Sequence, residues 1–393
     1  MTRFGHGMLG HWQFDPAITY LNHGTVGATP RRVLAVQQTI RDEIERNPAR
    51  YLLRELSSIT VGLPRDRQPR LRAAADAVAA FVGVRGEDLV FVDNATTGVN
   101  AVLRSLAFKE GDEIVLTDHT YGAILNAAAH IAREHGAFVR SAELPDANPD
   151  GRAAMAAITG ALTPRTRLLI VDHITSESAL ILPIAEIAAA CRARGVAVLV
   201  DGAHAPGVLP LELPALGVDW YVANLHKWAY APRSCGFLWA PGARQTPLHP
   251  PVISWGLDQG FTAEFDWVGT RDPSPWLSAP EAIAYQRELG IDAIRSYNHA
   301  LAWEAGRLLA RQWGTTLPMG EAMVGAMATL PLPQRAGSTR EDAARLRDAL
   351  LFEERIEVQL HAWRGRLWVR ISAQIYNEMS DYERLAAAVR ARI

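Results

Sequence analysis

Between residues 89 and 239 the chain repeats one pattern: a short apolar run, a polar turn, then a helix-length amphipathic stretch. Residues 89–92, 113–116, 168–171, 196–200, 220–222 and 235–239 read as strands. Residues 97–106, 122–134 and 184–194 read as helices between them. Strands that are apolar along their whole length are covered on both faces, and alternation with helices implies a mostly parallel sheet. The expected fold class is therefore α/β. Ligands of such sheets bind beyond the carboxyl ends of the strands.

Residues 240–275 break the pattern, being rich in Pro, Gly and Trp without a clean period, and read as a long functional loop region. Helical patterns return at 281–289, 292–312 and 340–353, with strand-like stretches at 326–332, 357–360 and 367–371. This suggests a smaller α+β domain. A chain of 393 residues, 49% hydrophobic and 21% charged, has room for both cores. A net charge of -2 gives no electrostatic case for nucleic acid or an anionic membrane as partner. No apolar run approaches the roughly 20 residues of a membrane span, and the first residues lack the apolar stretch of a secretory signal. Two cysteines, Cys191 and Cys235, make no disulfide framework. A cytoplasmic protein is expected.

The strand ends carry Asp93-Asn94, Asp118-His119, Asp172-His173, Asp201 with His204, and His226-Lys227. Taken singly, a strand-end Asp caps the next helix and a lone His is structural. Five such pairs at one sheet edge need a shared purpose, because desolvated charge is costly. Lys227 follows a buried strand, and a lysine in an apolar pocket becomes a nucleophile. One use is a Schiff base to pyridoxal phosphate, with an acid such as Asp201 facing the ring nitrogen. DNATTGVNAVLRSL, residues 93–106, would then be a phosphate cradle, in which Thr96 and Thr97 add hydroxyls to a helix N-terminus. Its plain alternative is an N-cap. GHGMLG, residues 5–10, matches a dinucleotide fingerprint, but no strand precedes it. The same Asp and His residues would also suit a metal-dependent hydrolase, although no fixed ligand spacing supports this and Lys227 would be idle.

Taken together, the motifs resemble the class V aminotransferase family of pyridoxal-phosphate enzymes, fold type I, and within it the isopenicillin N epimerase-like branch. Those motifs are YLNHGTVGATP (20–30), NPARYLLRE (47–55), NATTGVNAVLRSL, TDHTYGA (117–123), DHITSESALILP (172–183), VDGAHAPG, ANLHKW, GTRDPSPW (269–276) and VRISAQIYN (369–377). The resemblance implies an N-terminal segment over 1–25, a large cofactor-binding domain over 26–275 and a small domain over 276–393. It makes Lys227 the cofactor-bonding lysine and proton shuttle, and Asp201 the partner of the pyridine nitrogen. Asp172 and His204 would lie near the phenolic oxygen. His119 or Tyr121 would stack on the ring. Thr96, Thr97 and His226 would hold the phosphate. Thr270 would reach the phosphate of a neighbouring subunit, which implies a homodimer. Arg370 would take the substrate α-carboxylate, with Asn22, Arg50 and Tyr51 as further substrate-side candidates.

The implied substrate is a small α-amino acid, and the reaction a carbon–sulfur β-elimination, an epimerisation or a transamination. A scaffold-type cysteine desulfurase is disfavoured, because residues 276–393 contain no cysteine. His119, Tyr121 and His204 each remain open as a second base. The tryptophans 255, 267 and 276, with Gln259 and Phe261, would line the substrate pocket or pack a dimer interface.

Overall fold

The computed structural model describes residues 4–57, 68–147 and 150–393. Residues 1–3 of the N-terminal segment lie outside the described residues. In chain order the strands are β1 (Thr19–Tyr20), β2 (Leu89–Val92), β3 (Glu113–Thr117), β4 (Phe138–Ala142), β5 (Thr166–Asp172), β6 (Ala197–Asp201), β7 (Trp220–Asn224), β8 (Gly236–Trp239), β9 (Met327–Pro331), β10 (Ile356–Glu357), β11 (Gln359–Trp363) and β12 (Arg366–Ser372).

Seven of them form one sheet in the order β2-β8-β7-β6-β5-β3-β4. The paired strands run parallel except β8, which is antiparallel to both β7 and β2. β8 is reached from β7 without an intervening helix, and a parallel return needs a long crossover that is usually helical. β2, β3, β7 and β8 are buried at every position, as strands sandwiched between helix layers must be. The register sets Asp172 beside Asp201 and Asp201 beside Val222, so three strands end level at one edge.

A second, three-stranded antiparallel sheet has the order β11-β12-β9. Its register pairs Arg370 with Thr329 and with Gln359, so these three share a face. Helices Ala279–Leu289, Ile291–Trp313, Arg340–Phe352 and Met379–Arg390 accompany it, and Thr339 starts the third of these with a capping box. The N-terminal segment is tied to this part of the chain. β1 pairs with β10 in parallel, and the Gly5 amide donates to the Ile375 carbonyl at 2.8 Å.

Several elements were not read from the sequence. Helices Arg31–Arg46, Arg70–Phe81 and Arg152–Ala161 belong to this group, as does the edge strand β4, with its exposed Phe138. The 240–275 region is also less open than its composition suggests. It contains short helices Gly242–Arg244, Phe261–Asp266 and Ser274–Leu277, too brief to display a period. Trp276 stacks on Phe91 at 5.7 Å, and Arg271 lies over the same indole. No helix among the described residues is long and apolar enough to cross a membrane.

Candidate active site

A cavity of about 440 Å³ opens at the carboxyl ends of β2, β5, β6 and β7. Its floor carries two acids. Asp201 ends β6 and accepts the Ala203 amide at 2.9 Å. Asp172 ends β5 beside it, and its Oδ2 is buried with no hydrogen-bond partner among the described residues. Burial raises both carboxyls above the usual carboxylate range, and the Asp201 charge pushes Asp172 further up. A buried acid with an unfilled oxygen marks a place for a cationic or hydrogen-bonding group of a bound molecule.

Lys227 stands over these acids on the loop after β7. Its Nζ lies 3.1 Å from His204 Nε2. Burial, and then the Arg370 charge, lower the amine to about 8, against the opposing pull of Asp201 and Asp172. The backbone at Lys227 is fixed from the N-terminal segment: His23 Nε2–H donates to the Lys227 carbonyl at 3.0 Å. His23 Nδ1 is therefore the acceptor for the Tyr376 hydroxyl, at 2.9 Å. Gly27, at φ 69°, lies so close that a Cβ there would overlap the His226 carbonyl. Gly27→Ala is accordingly expected to displace this loop and to cost about 1–3 kcal/mol. A lowered thermal midpoint together with slower acylation of Lys227 would check this.

At the other end of the cavity the helix Ala95–Ser105 begins directly after β2. Asn94 caps it by accepting the Thr97 amide at 2.9 Å, and Asn224 accepts the Ala95 amide at 2.8 Å. Thr96 and Thr97 line the cavity beside the positive end of the helix, a natural anion site. His226 also lines it, and its Nδ1–H donates to the Cys235 carbonyl at 3.0 Å. Gly236 is required here: a Cβ would come 2.6 Å from the Ala223 carbonyl and 3.1 Å from Asn94 Cα.

Arg370 reaches the rim from β12 and is only 3% exposed. It donates to the Ser176 carbonyl at 2.6 Å, to the Thr25 hydroxyl at 2.7 Å and to Asn22 Oδ1 at 3.5 Å. Thr25 and Ser176 line the cavity. Every one of these acceptors is uncharged, and Nε has no partner. The guanidinium is thus buried without a contacting carboxylate among the described residues.

Not every strand-end residue joins the site. Tyr121, 48% exposed at the N-cap of helix Gly122–His135, lines the cavity. His119 does not. It is 8% exposed, bonds Ser178 at 2.6 Å and packs against Trp363, facing a smaller cavity of about 30 Å³. Asp93 pairs with Arg271 at 3.2 Å, Asp118 with Arg364 at 2.8 Å, and His173 bonds Tyr221 at 2.8 Å. Arg50 and Tyr51 sit in a separate groove, with Arg50 on Glu55 at 2.7 Å and Tyr51 under Arg70. Thr270 is exposed and does not line this cavity. Asn22 does not line the cavity but bonds Arg370 and, through Nδ2, Glu357 at 2.8 Å. Trp267 and Trp276 are core residues, whereas Trp255 is 71% exposed. Gln259 bonds the Trp255 carbonyl at 2.8 Å and Phe261 is buried. No group of three or more His, Cys, Asp or Glu able to hold a metal occurs among the described residues.

Residues that sequence reasoning left out also gather here: Thr25, Ser176 and Asn224 on the wall, and His23 and Trp228 behind Lys227. All five sit inside the quoted motifs YLNHGTVGATP, DHITSESALILP and ANLHKW, where spacing alone gave no reason to prefer one residue over its neighbours.

With acids at one end, a helix N-terminus at the other and a buried amine on the wall, the cavity fits a flat pyridinium that carries a phosphate. The comparisons agree with that chemistry. The family model "Aminotransferase class-V" matches residues 27–333. An isopenicillin N epimerase of Streptomyces clavuligerus is 34% identical over 97% of this chain and 96% of that protein. A probable chloroplastic L-cysteine desulfhydrase of Arabidopsis thaliana is 32% identical over 95% of this chain and 83% of that protein. The fold is that of a cystine C–S lyase, C-DES, whose structure holds its product cysteine persulfide: TM-score 0.78, 23% identity, 98% of each chain covered.

Proposed function

We propose, on the premise that this chain belongs to the class V aminotransferase family and is a pyridoxal-phosphate-dependent enzyme, that it is a carbon–sulfur β-lyase acting on cysteine or a cysteine-derived amino acid. The observation that carries this reading is the one-sided placement of bases around Lys227. Elimination needs one base at Cα, whereas epimerisation needs a second on the opposite face. His204 is bonded to Lys227 and so shares its side. His119 faces another cavity. Tyr121 lines the cavity, and we read it as the ring-stacking residue and not as a second base.

Pyridoxal phosphate, when bound, supplies an electron sink for the charge left at Cα. Thr96, Thr97 and His226 would hold its phosphate, and Asp201 its ring nitrogen, with Asp172 and His204 nearer the phenolic oxygen. Arg370 orients the substrate through its α-carboxylate, as a guanidinium fork does well. Lys227 Nζ takes the Cα proton. The Cβ–S bond then breaks with its electron pair on sulfur, which after gaining a proton leaves as sulfide from cysteine, as a thiol from an S-substituted cysteine, or as a sulfenic acid from a sulfoxide. Hydrolysis releases the remaining carbons as pyruvate and ammonia. A persulfide relay through a protein thiol is disfavoured, because Cys191 and Cys235 are both buried, and burial raises the Cys191 thiol to about 11.

We also read the chain as a homodimer, divided into an N-terminal segment, a large domain and a small domain near residues 25 and 275. Thr270 faces outward from its own cavity, and Val252, Ile253, Trp255 and Leu257 form an exposed apolar stretch suited to a second copy. Sedimentation at the mass of one chain would overturn the homodimer.

The test of the reaction is to add L-cysteine, S-substituted cysteines and cysteine sulfoxides to the yellow holoprotein while following absorption, pyruvate and the sulfur product, which is sulfide, thiol or sulfenic acid respectively. Pyruvate in equal yield with sulfur product is expected. Appearance of the D-enantiomer with deuterium from solvent at Cα, and no pyruvate, would instead favour the epimerase reading, which the Streptomyces relative supports.

A further inference from the structure

The assignment of Lys227 as the reactive amine underlies the next step. We infer that Trp228 is a positioning residue that fixes the proton of His204 on Nε2 and thereby favours the uncharged, hydrogen-bond-accepting form of the Lys227 amine. Indole Nε1–H can only donate, and it lies 3.3 Å from His204 Nδ1. That contact is a hydrogen bond only when Nδ1 carries no hydrogen. A neutral imidazole then has its proton on Nε2. His204 Nε2 is 3.1 Å from Lys227 Nζ. The N–H thus points at the amine, which must offer a lone pair. An ammonium has three hydrogens and no lone pair, so it would leave two buried donors face to face.

The donor at the far end is held rigidly. Trp228 is 2% exposed, and its carbonyl accepts from Gln286 Nε2 at 2.5 Å. The His23 ring lies 4.9 Å from the indole, and a Cβ at Gly24 would come within 3.3 Å of it. His204 is equally enclosed, with both ring nitrogens engaged. The other charged or titratable groups around Lys227 do not achieve this alone. Asp201 and Asp172, from the sheet, favour the ammonium; Arg370, from the small sheet, disfavours it. His226, the neighbour on its own loop, is held neutral by burial and titrates near 4. The Trp228–His204 chain therefore opposes two carboxyls, and it does so through a proton position rather than a charge.

Two measurements test this on the full-length protein, both without substrate. Nitrogen-15 histidine spectra of the cofactor-free and cofactor-loaded protein, with the His204 signals identified by their loss in His204→Gln, should show the Nε2–H tautomer at pH 9, above the titration of the Lys227 amine, before loading. An Nδ1–H or doubly protonated ring there would overturn the inference. The second measurement is the pH midpoint of Lys227 acylation, read by peptide mass. Lys109, exposed, is the chain's one other lysine and is scored separately. Trp228→Phe keeps a ring but removes the donor, so His204 can present a lone pair to the ammonium. The midpoint should rise by about one unit, which is roughly tenfold slower labelling at pH 7.

A merely structural tryptophan would lower the melting temperature and leave that midpoint in place, and this result in a folded variant would overturn the lock. The double variant Trp228→Phe/His204→Gln should titrate as His204→Gln does, since the lock acts only through His204. An additional shift would exclude the proposed path. Failure of the functional reading looks different: borohydride would fix the cofactor somewhere other than Lys227, or nowhere, whatever the tautomer.

Discussion

In Lys227→Ala, borohydride will fix no cofactor to the chain, and pyruvate release from cysteine derivatives will fall by at least 10²–10⁴-fold, on the order of what a positioned proton-transfer group contributes. The size of the effect follows from composition as well as place. Lys109 and Lys227 are the chain's two lysines. Lys109 lies in the turn before β3, at the amino end of that strand, whereas the cavity lies at the carboxyl ends. No second amine can substitute from within the site. The fold should persist, because the amine lies where burial disfavours its charge and, among the described residues, its side-chain hydrogen bond is to His204. Peptide mapping after reduction checks the first half, and keto-acid assay the second. Retention of a reducible link in the variant would move the reactive amine elsewhere.

The parts of this site that were legible in the sequence are those with a strand in front of them. Asp172, Asp201 and Lys227 each follow a continuous apolar run, so topology alone brings them to one edge. The same logic over-collected. Asp93, Asp118, His119 and His173 follow equally good strands, yet they bond Arg271, Arg364, Ser178 and Tyr221. A strand end fixes where a residue is, and the rotamer and the neighbouring loop decide which way it faces. The choice between His119 and Tyr121 shows the difference. Two residues apart, one faces the large cavity and the other a small one, because the chain turns between β3 and the helix, the Thr120 amide donating to the Thr117 carbonyl at 3.1 Å.

What sequence could not supply was anything that depends on distant chain segments meeting. His23 holds Lys227 across 204 positions, and Asn22 and Thr25 meet Arg370 across more than 340. No local period encodes such contacts. The tight glycines at 27 and 236 mark them only once the backbone is placed. The short helices in 240–275 were hidden for a different reason: three to six residues are fewer than two turns, too few for an amphipathic stripe.

Arg370→Ala should produce the second large loss, confined to substrates that carry an α-carboxylate. The guanidinium is buried, and burial lowers it only to about 10, so it is charged at neutral pH. Its partners are a carbonyl, a hydroxyl and an amide oxygen, none of which carries the opposite charge. Such a cation is poised for an anion, and truncating one member of a buried, hydrogen-bonded charge pair costs about 2–5 kcal/mol. That range corresponds to roughly 30-fold to several-thousand-fold in kcat/KM for L-cysteine. Arg370→Lys should recover part of it, because an ammonium restores the charge without the two-pronged geometry. Cysteamine, which is cysteine without the carboxylate, isolates the effect. Its binding, read as the change in the holoprotein's absorption, should be indifferent to the substitution or improve, since an unpaired buried cation has been removed. Equal losses for cysteine and cysteamine would mean that Arg370 serves the fold of the rim and not the carboxylate. The Ser176 and Thr25 contacts argue otherwise: each engages one end of the guanidinium, and Nε is left with no partner among the described residues.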